Sequence, residues 1–403
     1  MLSPRLLSSA LAVLPLRSLL QRLSRLEPQD LAEFARSGPP QVFASLRPPA
    51  QARYPLPVNV DSRDHLPTGE NYANPLSLRK VPDLPVPGAF LAHLHDCLLV
   101  RTRYAWGESQ FSLCTPEGRL LRLHGLSSDP RRTDLQAVIR RALRGKPPVL
   151  HRATWTLGYW YSNHYHWMVE WLPRILAARA SGLPDDSILL PTDLSRPGRD
   201  SLELIGLQPH WLDETTEAWR VTELTVVAET GHHGPALAAV AAALRQPISP
   251  ARPVPAKVWV SRSHAVHRRL LAGAEIEAAL ASRGWTCVRL ETLTLREQIA
   301  LLSNARALAG VHGAGLTNLL FTPPGTPLLE IGMVERPTAE FYALAATLGH
   351  PYWYVPSQRA RHHESLIHDD VVLDPQSLLS VIDALDSTLD RPAPPDQAPL
   401  PVR

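Results

Sequence analysis

The segment Ala307–Phe321 combines the residue types that a phosphate-binding turn needs. A short apolar run ends at His312, and two glycines, Gly313 and Gly315, separated by one alanine, come directly before an apolar helical pattern. Peptide N–H groups exposed at a helix start, reinforced by the helix dipole, favour a phosphate there. The imidazole of His312 can donate to a phosphate oxygen or move a proton. The alternative is an ordinary strand–turn–helix connection whose glycines only permit close packing.

Arginines follow another predicted strand, in the segment Ser261–Arg269. Arginines just past a strand end, in a domain with a phosphate-binding turn, can clamp a diphosphate, although an exposed basic loop is the simpler interpretation. Glu330, at the end of a further strand, could accept hydrogen bonds from ribose hydroxyls or pair with an arginine. The predicted donor-side residues are Arg262, Arg268 or Arg269, His312, Gly313, Ala314, Gly315, Leu316, Thr317, Asn318 and Glu330.

A second group of polar residues lies in the aromatic-rich segment Tyr159–Ala177. On a helix beginning near Asn163, the residues Asn163, His166, Glu170 and Arg174 would share one face. Such a polar stripe is either a satisfied internal network or one wall of a cleft. A carboxylate that holds one ring nitrogen of a histidine makes the other nitrogen a better base.

We therefore predict His166, oriented by Glu170, as a general base, with Glu170 itself as the second choice. Asn163, Trp167 and Arg174 are predicted to lie beside this pair in the wall of the cleft. Pro173 should kink the helix or mark its restart, because proline removes a backbone donor.

Further histidines raise the possibility of a metal site: His164, His232-His233 and His362-His363. None of them forms an HExxH or similar metal-ligand pattern, and His164 and His166 would point in different directions on a helix. We predict no metal site. The rival interpretation, a histidine-cluster metallohydrolase, predicts bound zinc or manganese after purification.

These side chains need a scaffold, and the C-terminal half shows its elements clearly. The predicted strands are Val258–Ser261, Thr286–Leu290, Ala307–Val311, Leu328–Ile331 and Tyr352–Val355. The predicted helices are Gly273–Arg283, Leu295–Ala305, one opening at Leu316–Phe321, Ala339–Leu348 and a final one at Ser377–Leu389. This alternation indicates a parallel sheet covered on both faces, with ligands beyond the strand C-termini near the switch in strand order.

The first half is less regular. Short apolar runs between Phe90 and Leu123 predict a small antiparallel meander, and strands alternate with helices from about Pro148 to Arg245. The predicted organisation is a partly helical N-terminal arm at 1–88, a first domain at 89–245, a proline-rich linker at 246–256, a second domain with the phosphate-binding turn at 257–389 and a disordered tail at 390–403.

Composition limits the possible functions. The 403 residues carry a net charge of +3 and are 44% hydrophobic, without the basic excess of a nucleic-acid binder. The cysteines Cys97, Cys114 and Cys287 lack CxxC spacing and favour a reducing compartment over a structural zinc.

The Leu- and Arg-rich segment 1–26 fits a cleaved signal peptide poorly. It either lies on an anionic membrane surface or packs on its own protein. We predict a cytoplasmic protein, with peripheral contact to the inner membrane face as an option.

Together these segments resemble glycosyltransferase family 61, which includes protein O-linked N-acetylglucosaminyltransferases, plant xylan-decorating transferases and bacterial capsular polysaccharide biosynthesis proteins. The matching pieces are Asn163 to His166-Trp167 with Glu170 and Leu172-Pro173-Arg174, Ser261-Arg262 with Arg268 or Arg269, Glu297-Gln298, His312 to Asn318, Pro324-Gly325 and Leu329-Glu330. The chain departs from the family at Ala272-Gly273, where an Asn-Glu pair is common.

The resemblance implies an α/β fold of GT-B type, in which two Rossmann-like domains face each other across a cleft. It also implies a nucleoside-diphosphate sugar as donor, inversion at the anomeric carbon and no obligatory metal or other cofactor. On this basis residues 257–389 are expected to be the nucleotide-sugar-binding domain and residues 89–245 the acceptor-side domain, with Asn163, Trp167 and Arg174 on the acceptor side. The expected function is transfer of a sugar to a glycan, lipid-linked or protein acceptor in surface or capsular polysaccharide biosynthesis. The rival class, which the departure at Ala272-Gly273 leaves open, is a non-catalytic nucleotide- or glycan-binding protein of a polysaccharide-assembly complex.

Overall fold

The computed structural model describes residues 29–30, 43–52, 54–69, 77–79, 85–86, 88–103, 109–122, 135–228, 232–245, 256–361 and 368–389. The Leu- and Arg-rich segment 1–26, nearly all of the linker, the His362-His363 pair and the tail at 390–403 lie outside these residues. No helix in the described ranges is long and apolar enough to cross a membrane.

The N-terminal half contains eleven described strands. They are β1 (Gln29–Asp30), β2 (Phe43–Arg47), β3 (Ala50–Gln51), β4 (Pro85–Val86), β5 (Ala89–Arg103), β6 (Ser109–Cys114), β7 (Leu120–Arg122), β8 (Val149–Trp155), β9 (Leu189–Pro191), β10 (His210–Leu212) and β11 (Ala218–Ala228). Its helices are α1 (Leu135–Arg144), α2 (His164–His166), a π-helical turn at Trp167–Trp171, α3 (Leu172–Ala180), α4 (Arg196–Leu204) and α5 (Gly234–Leu244), with 3₁₀ turns at Arg63–His65 and Asp185–Ser187.

The main N-terminal sheet is mixed. Its order is β1-β7-β6-β5-β11-β8, with β2 also on β5, and the predicted meander is its β5-β6-β7 part. The fifteen-residue β5 pairs antiparallel with β2, β6 and β11, whereas β8 and β11 are parallel. The prediction of a Rossmann-like sheet in this half is therefore wrong. Consecutive strands such as β5 and β6 have short connections, which permit antiparallel pairing, whereas a parallel pair needs a long crossover.

The C-terminal half matches the predicted alternation closely. Its strands are β12 (Lys257–Val260), β13 (Thr286–Val288), β14 (Ala307–Val311), β15 (Leu328–Met333), β16 (Tyr352–Arg359) and β17 (Val371–Val372). Its helices are α6 (Gly273–Ser282), α7 (Leu295–Leu302), α8 (Glu340–Leu348) and α9 (Pro375–Leu389), with 3₁₀ helices at Leu290–Thr292 and Ala314–Phe321. The segment predicted to open an α-helix at Leu316 is thus a 3₁₀ helix that starts at Ala314.

The C-terminal sheet has the order β13-β12-β14-β15-β16-β17, and its first five strands are parallel. In chain order these five read 2-1-3-4-5, so the order reverses between β12 and β14. All residues of β14 and β15 are buried, as expected for a sheet covered on both faces. The α/β class is confirmed, and the switch point predicts where a ligand would bind.

The two halves share one apolar core. A continuous cluster of buried side chains includes Trp155 and Leu172 from the first half and Leu316 and Phe341 from the second. A second cluster, around Trp259 and Leu378, fills the other face of the C-terminal sheet. The elements that carry the predicted site residues are therefore packed against one another rather than joined by a thin contact.

Residues of the N-terminal arm lie along the outer edge of β16. The N–H of Val58 donates to the carbonyl of Tyr352 at 2.7 Å. The side-chain amide of Asn59 both donates to the carbonyl of Tyr354 and accepts from its N–H, at 2.8 and 3.0 Å. The arm therefore satisfies backbone groups that an edge strand would otherwise leave open.

Candidate active site

Arg262 and His312 flank the switch point of the C-terminal sheet. Arg262 comes two residues after β12 ends, and His312 directly follows β14. Because β12 and β14 are neighbouring parallel strands, both side chains belong to the same sheet edge. This is the edge at which doubly wound sheets bind their ligands.

His312 is held from two sides. Its Nδ1 atom lies 2.5 Å from Oε1 of Glu330, and its Nε2 atom lies 3.4 Å from the hydroxyl of Thr338. The ring also packs edge-on against Phe341, with centroids 5.1 Å apart. Burial, reinforced by the positive charge of Arg268, lowers the pKa of His312 to about 3, so the ring is neutral at physiological pH.

Glu330 is buried, and its predicted contact with a ribose is wrong. The side chain is 1% exposed, because its position on β15 places it within the sheet core rather than at the open edge. One carboxyl oxygen faces His312, and the other accepts a hydrogen bond from the hydroxyl of Tyr352 at 2.7 Å. Burial raises the pKa of Glu330 to about 8. A protonated Glu330 can donate to Nδ1 of His312, which leaves the ring proton on Nε2.

Gly313 makes room for Arg262. A Cβ atom at position 313 would collide with Nη1 of Arg262. The Arg262 guanidinium is fixed there because its Nε and Nη2 atoms donate to the carbonyls of Arg268 and His267, at 3.1 and 2.7 Å. Burial lowers the pKa of Arg262. A bare backbone at Gly313 is therefore what brings this cation beside the turn.

The geometry separates the two arginines that the sequence left as alternatives. Arg269 is half exposed and pairs with the buried carboxylate of Asp370 at 2.7 Å. Arg268 instead lines a pocket with His312, and burial, reinforced by Arg262 and Arg336, lowers its pKa to about 10. Its Nε atom is buried without a hydrogen-bond partner among the described residues. Arg268 is thus the second arginine at this edge, and Arg269 holds the neighbouring loop.

The rest of the predicted phosphate turn is mostly packed inward. The N–H of Leu316 donates to the carbonyl of Gly313 at 2.9 Å, so the earlier N–H groups of Ala314 and Gly315 precede the first bond of the 3₁₀ helix. The side chains of Leu316, Thr317 and Asn318 are buried. The predicted donor contact of Leu316, through its backbone N–H, is therefore wrong, because that group bonds within the 3₁₀ helix. The predicted donor contacts of Thr317 and Asn318 are wrong because the tight helix turns their side chains towards the core.

Gly315 has a packing role. A Cβ atom there would lie 2.9 Å from Cγ1 of Val260 and 3.5 Å from Cδ1 of Leu290. The absence of a side chain lets the 3₁₀ helix pack closely on β12. For Gly315 the close-packing alternative holds, whereas Gly313 faces a candidate site residue.

His166 and Glu170 form the pair that their spacing predicts. Nδ1 of His166 lies 3.1 Å from Oε1 of Glu170, and both side chains are partly exposed. The imidazole is bordered by the rings of Tyr159, Trp160 and Tyr165, with centroid distances of 5.6, 5.2 and 5.3 Å. A partly exposed histidine within an aromatic border is a suitable site for a base that meets a sugar hydroxyl.

The other predicted acceptor-side residues do not join this pair. Asn163 is exposed and caps α2 by accepting from the N–H of Tyr165 at 2.9 Å. Trp167 is fully buried, and its indole donates to the hydroxyl of Ser201 at 2.8 Å. Arg174 is 3% exposed and stacks over the ring of Trp171. The burial of Trp167 and Arg174 leaves neither side chain open to an acceptor, whereas the acceptor-side role of Asn163 stays a prediction.

The departure of Arg174 from the predicted face follows from the π-helical turn at Trp167–Trp171. This turn inserts an extra residue into the helical repeat, so positions beyond it no longer share the face that regular spacing predicts. Helix α3 restarts at Leu172 with Pro173 in its first turn, as the proline suggested.

The two groups of residues meet at the interface between the halves. Tyr165, beside His166, packs edge-on against Phe341, with centroids 5.4 Å apart, and Phe341 in turn contacts His312. The Tyr165 hydroxyl lies 2.7 Å from Nε2 of His232. His164 adjoins Asn318, and burial lowers the pKa of His164 to about 4, with the Asn318 side chain opposing that shift. The predicted base and the predicted phosphate turn are therefore linked through the packed rings of Tyr165 and Phe341.

Several residues of this site carry no signal in the sequence. Arg336 and Thr338 come from the irregular connection after β15, Tyr352 from β16, and Glu340 from the first turn of α8. Glu340 is close enough to His312 and Arg268 to shift their pKa values. The position of Arg336 and Thr338 after a strand end, on the edge predicted to bind ligand, is the one cue that could have identified them.

Within the described ranges, no group of three or more His, Cys, Asp or Glu side chains is arranged to hold a metal ion. In the pair His232-His233, the structure shows a side-chain contact for His232 rather than a metal-binding arrangement. His232 contacts Tyr165 as described, and burial lowers its pKa.

Comparison with known proteins agrees with the resemblance noted in the sequence. The family described as Glycosyltransferase 61 matches residues 164–329, a range that contains the His166–Glu170 pair and the turn after His312. Comparison with curated proteins finds no match. Among solved structures, the chain is similar to the bacterial iron-containing dodecameric glycosyltransferase TibC from enterotoxigenic E. coli H10407, with 12% identity, coverage of 61% of this chain and 75% of that one, and a TM-score of 0.27. That likeness is too distant to carry an argument.

Proposed function

We propose that this chain, whose residues 164–329 match the family described as Glycosyltransferase 61, transfers a sugar from a nucleoside-diphosphate sugar to a hydroxyl acceptor. The observation that carries the proposal is the interdomain site, in which Tyr165 and Phe341 connect the His166–Glu170 pair to the arginine-rich edge around His312. A transferase needs a base on one side of the anomeric carbon and stabilisation of a leaving diphosphate on the other. The two halves each supply one of these.

On the donor side, Arg262 and Arg268 would neutralise the leaving diphosphate. Nε2–H of His312 and the N–H groups of Ala314 and Gly315 would add fixed donors. Because these groups are held before the substrate arrives, they stabilise developing charge without reorganising. We propose that they do so without a divalent cation, and metal analysis of the purified protein, together with activity in a chelator, tests that part.

On the acceptor side, His166 would remove the proton from the attacking hydroxyl while Glu170 orients the ring. A single in-line displacement with one base inverts the configuration at the anomeric carbon. Glu170 remains the second candidate for the base. This division of labour places the donor on the C-terminal half and the acceptor on the N-terminal half.

The acceptor is proposed to be a glycan, a lipid-linked sugar or a protein, in surface or capsular polysaccharide biosynthesis. We also propose a cytoplasmic location, where nucleotide sugars are made, with peripheral contact to the inner membrane face. Deletion of residues 1–26 followed by membrane fractionation tests whether that segment contributes.

The direct experiment incubates the purified protein with a panel of nucleotide sugars and measures release of nucleoside diphosphate, without acceptor and with candidate acceptors. A bound donor at a hundred times its dissociation constant should also stabilise the fold by about 2.7 kcal/mol in a thermal-shift screen. Stabilisation without any turnover across donors and acceptors would instead support the non-catalytic binder.

The family departure at Ala272-Gly273 bears on that rival class. Ala272 immediately precedes α6, and its side chain makes no capping hydrogen bond. Asparagine is among the preferred residues at the start of a helix. The residue type common in the family at this position therefore fits a helix cap, and its absence here does not remove a residue from the site around His312.

A further inference from the structure

Arg336 lies in the connection between β15 and α8 and faces the same pocket as His312 and Arg268. Its side chain makes no hydrogen bond or ion pair with the described residues. It is close enough to both neighbours to lower their pKa values. Apolar residues of β14, β15 and β17 form the remaining walls: Val311, Ile331, Met333 and Val371. Arg336 thus adds a third cation to an edge that already holds Arg262 and Arg268.

Nearby carboxylates offset this positive charge only at a distance. Glu291 and Asp370 act on Arg262, and Glu340 acts on Arg268, but within the described residues none of them forms an ion pair with either arginine. Arg268 is largely buried and has no carboxylate in an ion pair within the described ranges. Glu330 is held protonated by burial, and Glu340 is the acidic group that acts on Arg268 most strongly. Burying a cation without a partner is costly, and like charges add to that cost. An arrangement of this kind is stabilised when an anion with more than one negative charge binds.

The connection that carries Arg336 is fastened at both ends. At its start, the N–H of Val334 donates to the carbonyl of Ser357 on β16 at 2.9 Å. At its end, the N–H of Leu78 in the N-terminal arm donates to the carbonyl of Pro337 at 2.9 Å, and Ser77 forms an antiparallel bridge with Thr338. Leu78 is fully buried, so the arm is anchored there by packing as well.

We propose that Arg336 is a third anion-binding residue of this edge and that residues 77–79 of the N-terminal arm hold its loop in the binding position. The inference rests on the proposed function, since the anion would be the diphosphate of the donor. It makes the arm a part of the donor site, although the arm lies more than two hundred residues away in sequence.

Inorganic pyrophosphate is the probe for this site, measured by calorimetric titration against inorganic phosphate. We expect the wild type to bind pyrophosphate at least tenfold more tightly than phosphate. Arg336→Ala should weaken pyrophosphate binding by at least tenfold, and Arg336→Lys should retain part of the affinity, because lysine keeps the charge but loses the planar fork. Arg296→Ala, which removes an exposed arginine of α7, is the charge-matched control and should bind as the wild type does.

Hydrogen–deuterium exchange tests the role of the arm in the full chain. Pyrophosphate should slow amide exchange in peptides covering 77–79 and 334–338 of the wild type, and it should leave these peptides unchanged in Arg336→Ala. Equal protection in both proteins, or none in the wild type, would show that the arm does not support this site.

The two proposals can fail separately. If Arg336→Ala bound pyrophosphate like the wild type, or if the wild type did not bind it, the inference about Arg336 would be wrong even with full transferase activity. If pyrophosphate binding depended on Arg336 but no nucleotide sugar were turned over with any acceptor, the anion site would stand and the proposed function would fail.

Discussion

Nδ1 of His312 and Oε1 of Glu330 are 2.5 Å apart, in a position where burial favours the neutral form of both side chains. The pair connects the buried strand β15 to the open edge of the sheet. A protonated Glu330 fixes which nitrogen of His312 carries the proton, so the carboxyl group acts on a ligand only through the ring.

Glu330→Gln should therefore be well tolerated, because an amide can donate to His312 and still accept from Tyr352. Glu330→Ala should lower the free energy of unfolding by about 1–3 kcal/mol, since it leaves buried polar groups unpaired. Urea unfolding at pH 6 measures both variants. Equal losses in the two would show that Glu330 is ionised in the folded protein.

The same pair should shape the dependence of stability on pH. The pKa of Glu330 is raised from 4.5 to about 8, so its stabilising effect is present below pH 4.5 and is lost as the pH rises towards 8. The pKa of His312 is depressed from 6.5 to about 3, so its effect is present above pH 6.5 and is lost as the pH falls towards 3. Between pH 4.5 and 6.5, a rise in pH therefore weakens the stabilising effect of Glu330 and strengthens that of His312.

We therefore expect unfolding curves of the wild type to show a decline from pH 6.5 to 8 that Glu330→Gln lacks. The decline on the acid side should remain in this variant, because His312 still titrates. An unchanged alkaline decline in Glu330→Gln would mean that another group causes it.

His312→Ala should weaken binding of nucleoside diphosphate by roughly ten- to a hundredfold, because a hydrogen bond to a charged phosphate oxygen contributes about 1.5–3 kcal/mol. Calorimetric titration measures this affinity, and acceptor affinity without donor should barely change. His151→Ala, at an exposed position on β8, is the matched control. Wild-type affinity in His312→Ala would take the ring out of the donor site.

Gly313→Ala should reduce nucleoside-diphosphate affinity at least tenfold by displacing the guanidinium of Arg262. The fold should survive, since the collision is with the end of a side chain. Gly273→Ala, where the added Cβ would lie 3.9 Å from its nearest neighbour, is the control. In an Arg262→Ala background the Gly313 substitution should have no further effect, because the two changes act through one contact. Additive losses would contradict this.

His166→Ala should lower turnover by about a hundred- to ten-thousandfold while leaving nucleoside-diphosphate binding intact, which is the range for loss of a general base. Glu170→Gln should lower turnover less, because the base remains but is oriented less well. His210→Ala, at an exposed position on β10, should have wild-type turnover. Full turnover in His166→Ala would reassign the base, with Glu170 the next candidate.

The sequence predicted the C-terminal sheet well because its strands are short apolar runs separated by clear helix and turn signals. Spacing also predicted the His166–Glu170 contact, which forms although Glu170 lies within the π-helical turn. The prediction from spacing failed for Arg174, because a π-helical turn lies between it and His166. No local sequence pattern indicates that turn. Glu330 was misjudged because its position near a strand end suggested exposure, whereas the strand continues to Met333.

Long-range pairing was beyond the reach of sequence patterns. The contacts of Asn59 with Tyr354 join residues 295 positions apart, and the arm around Leu78 has no periodicity of its own. The position of Arg336 could not be predicted for the same reason. Its proposed role depends on its proximity to Arg268 and His312 in the fold and not on its neighbours in the chain. Tertiary packing determines these contacts, and local patterns in a single sequence do not reveal them.

The arm along β16 also has a consequence for how the protein behaves in solution. Exposed strand edges are templates for pairing with other chains and for aggregation. The side chain of Asn59 occupies the backbone groups of Tyr354 as a neighbouring strand would, without offering a further edge of its own. Chains that lose the arm would present this edge to one another, so truncation at the N-terminus should promote self-association before it affects any chemistry.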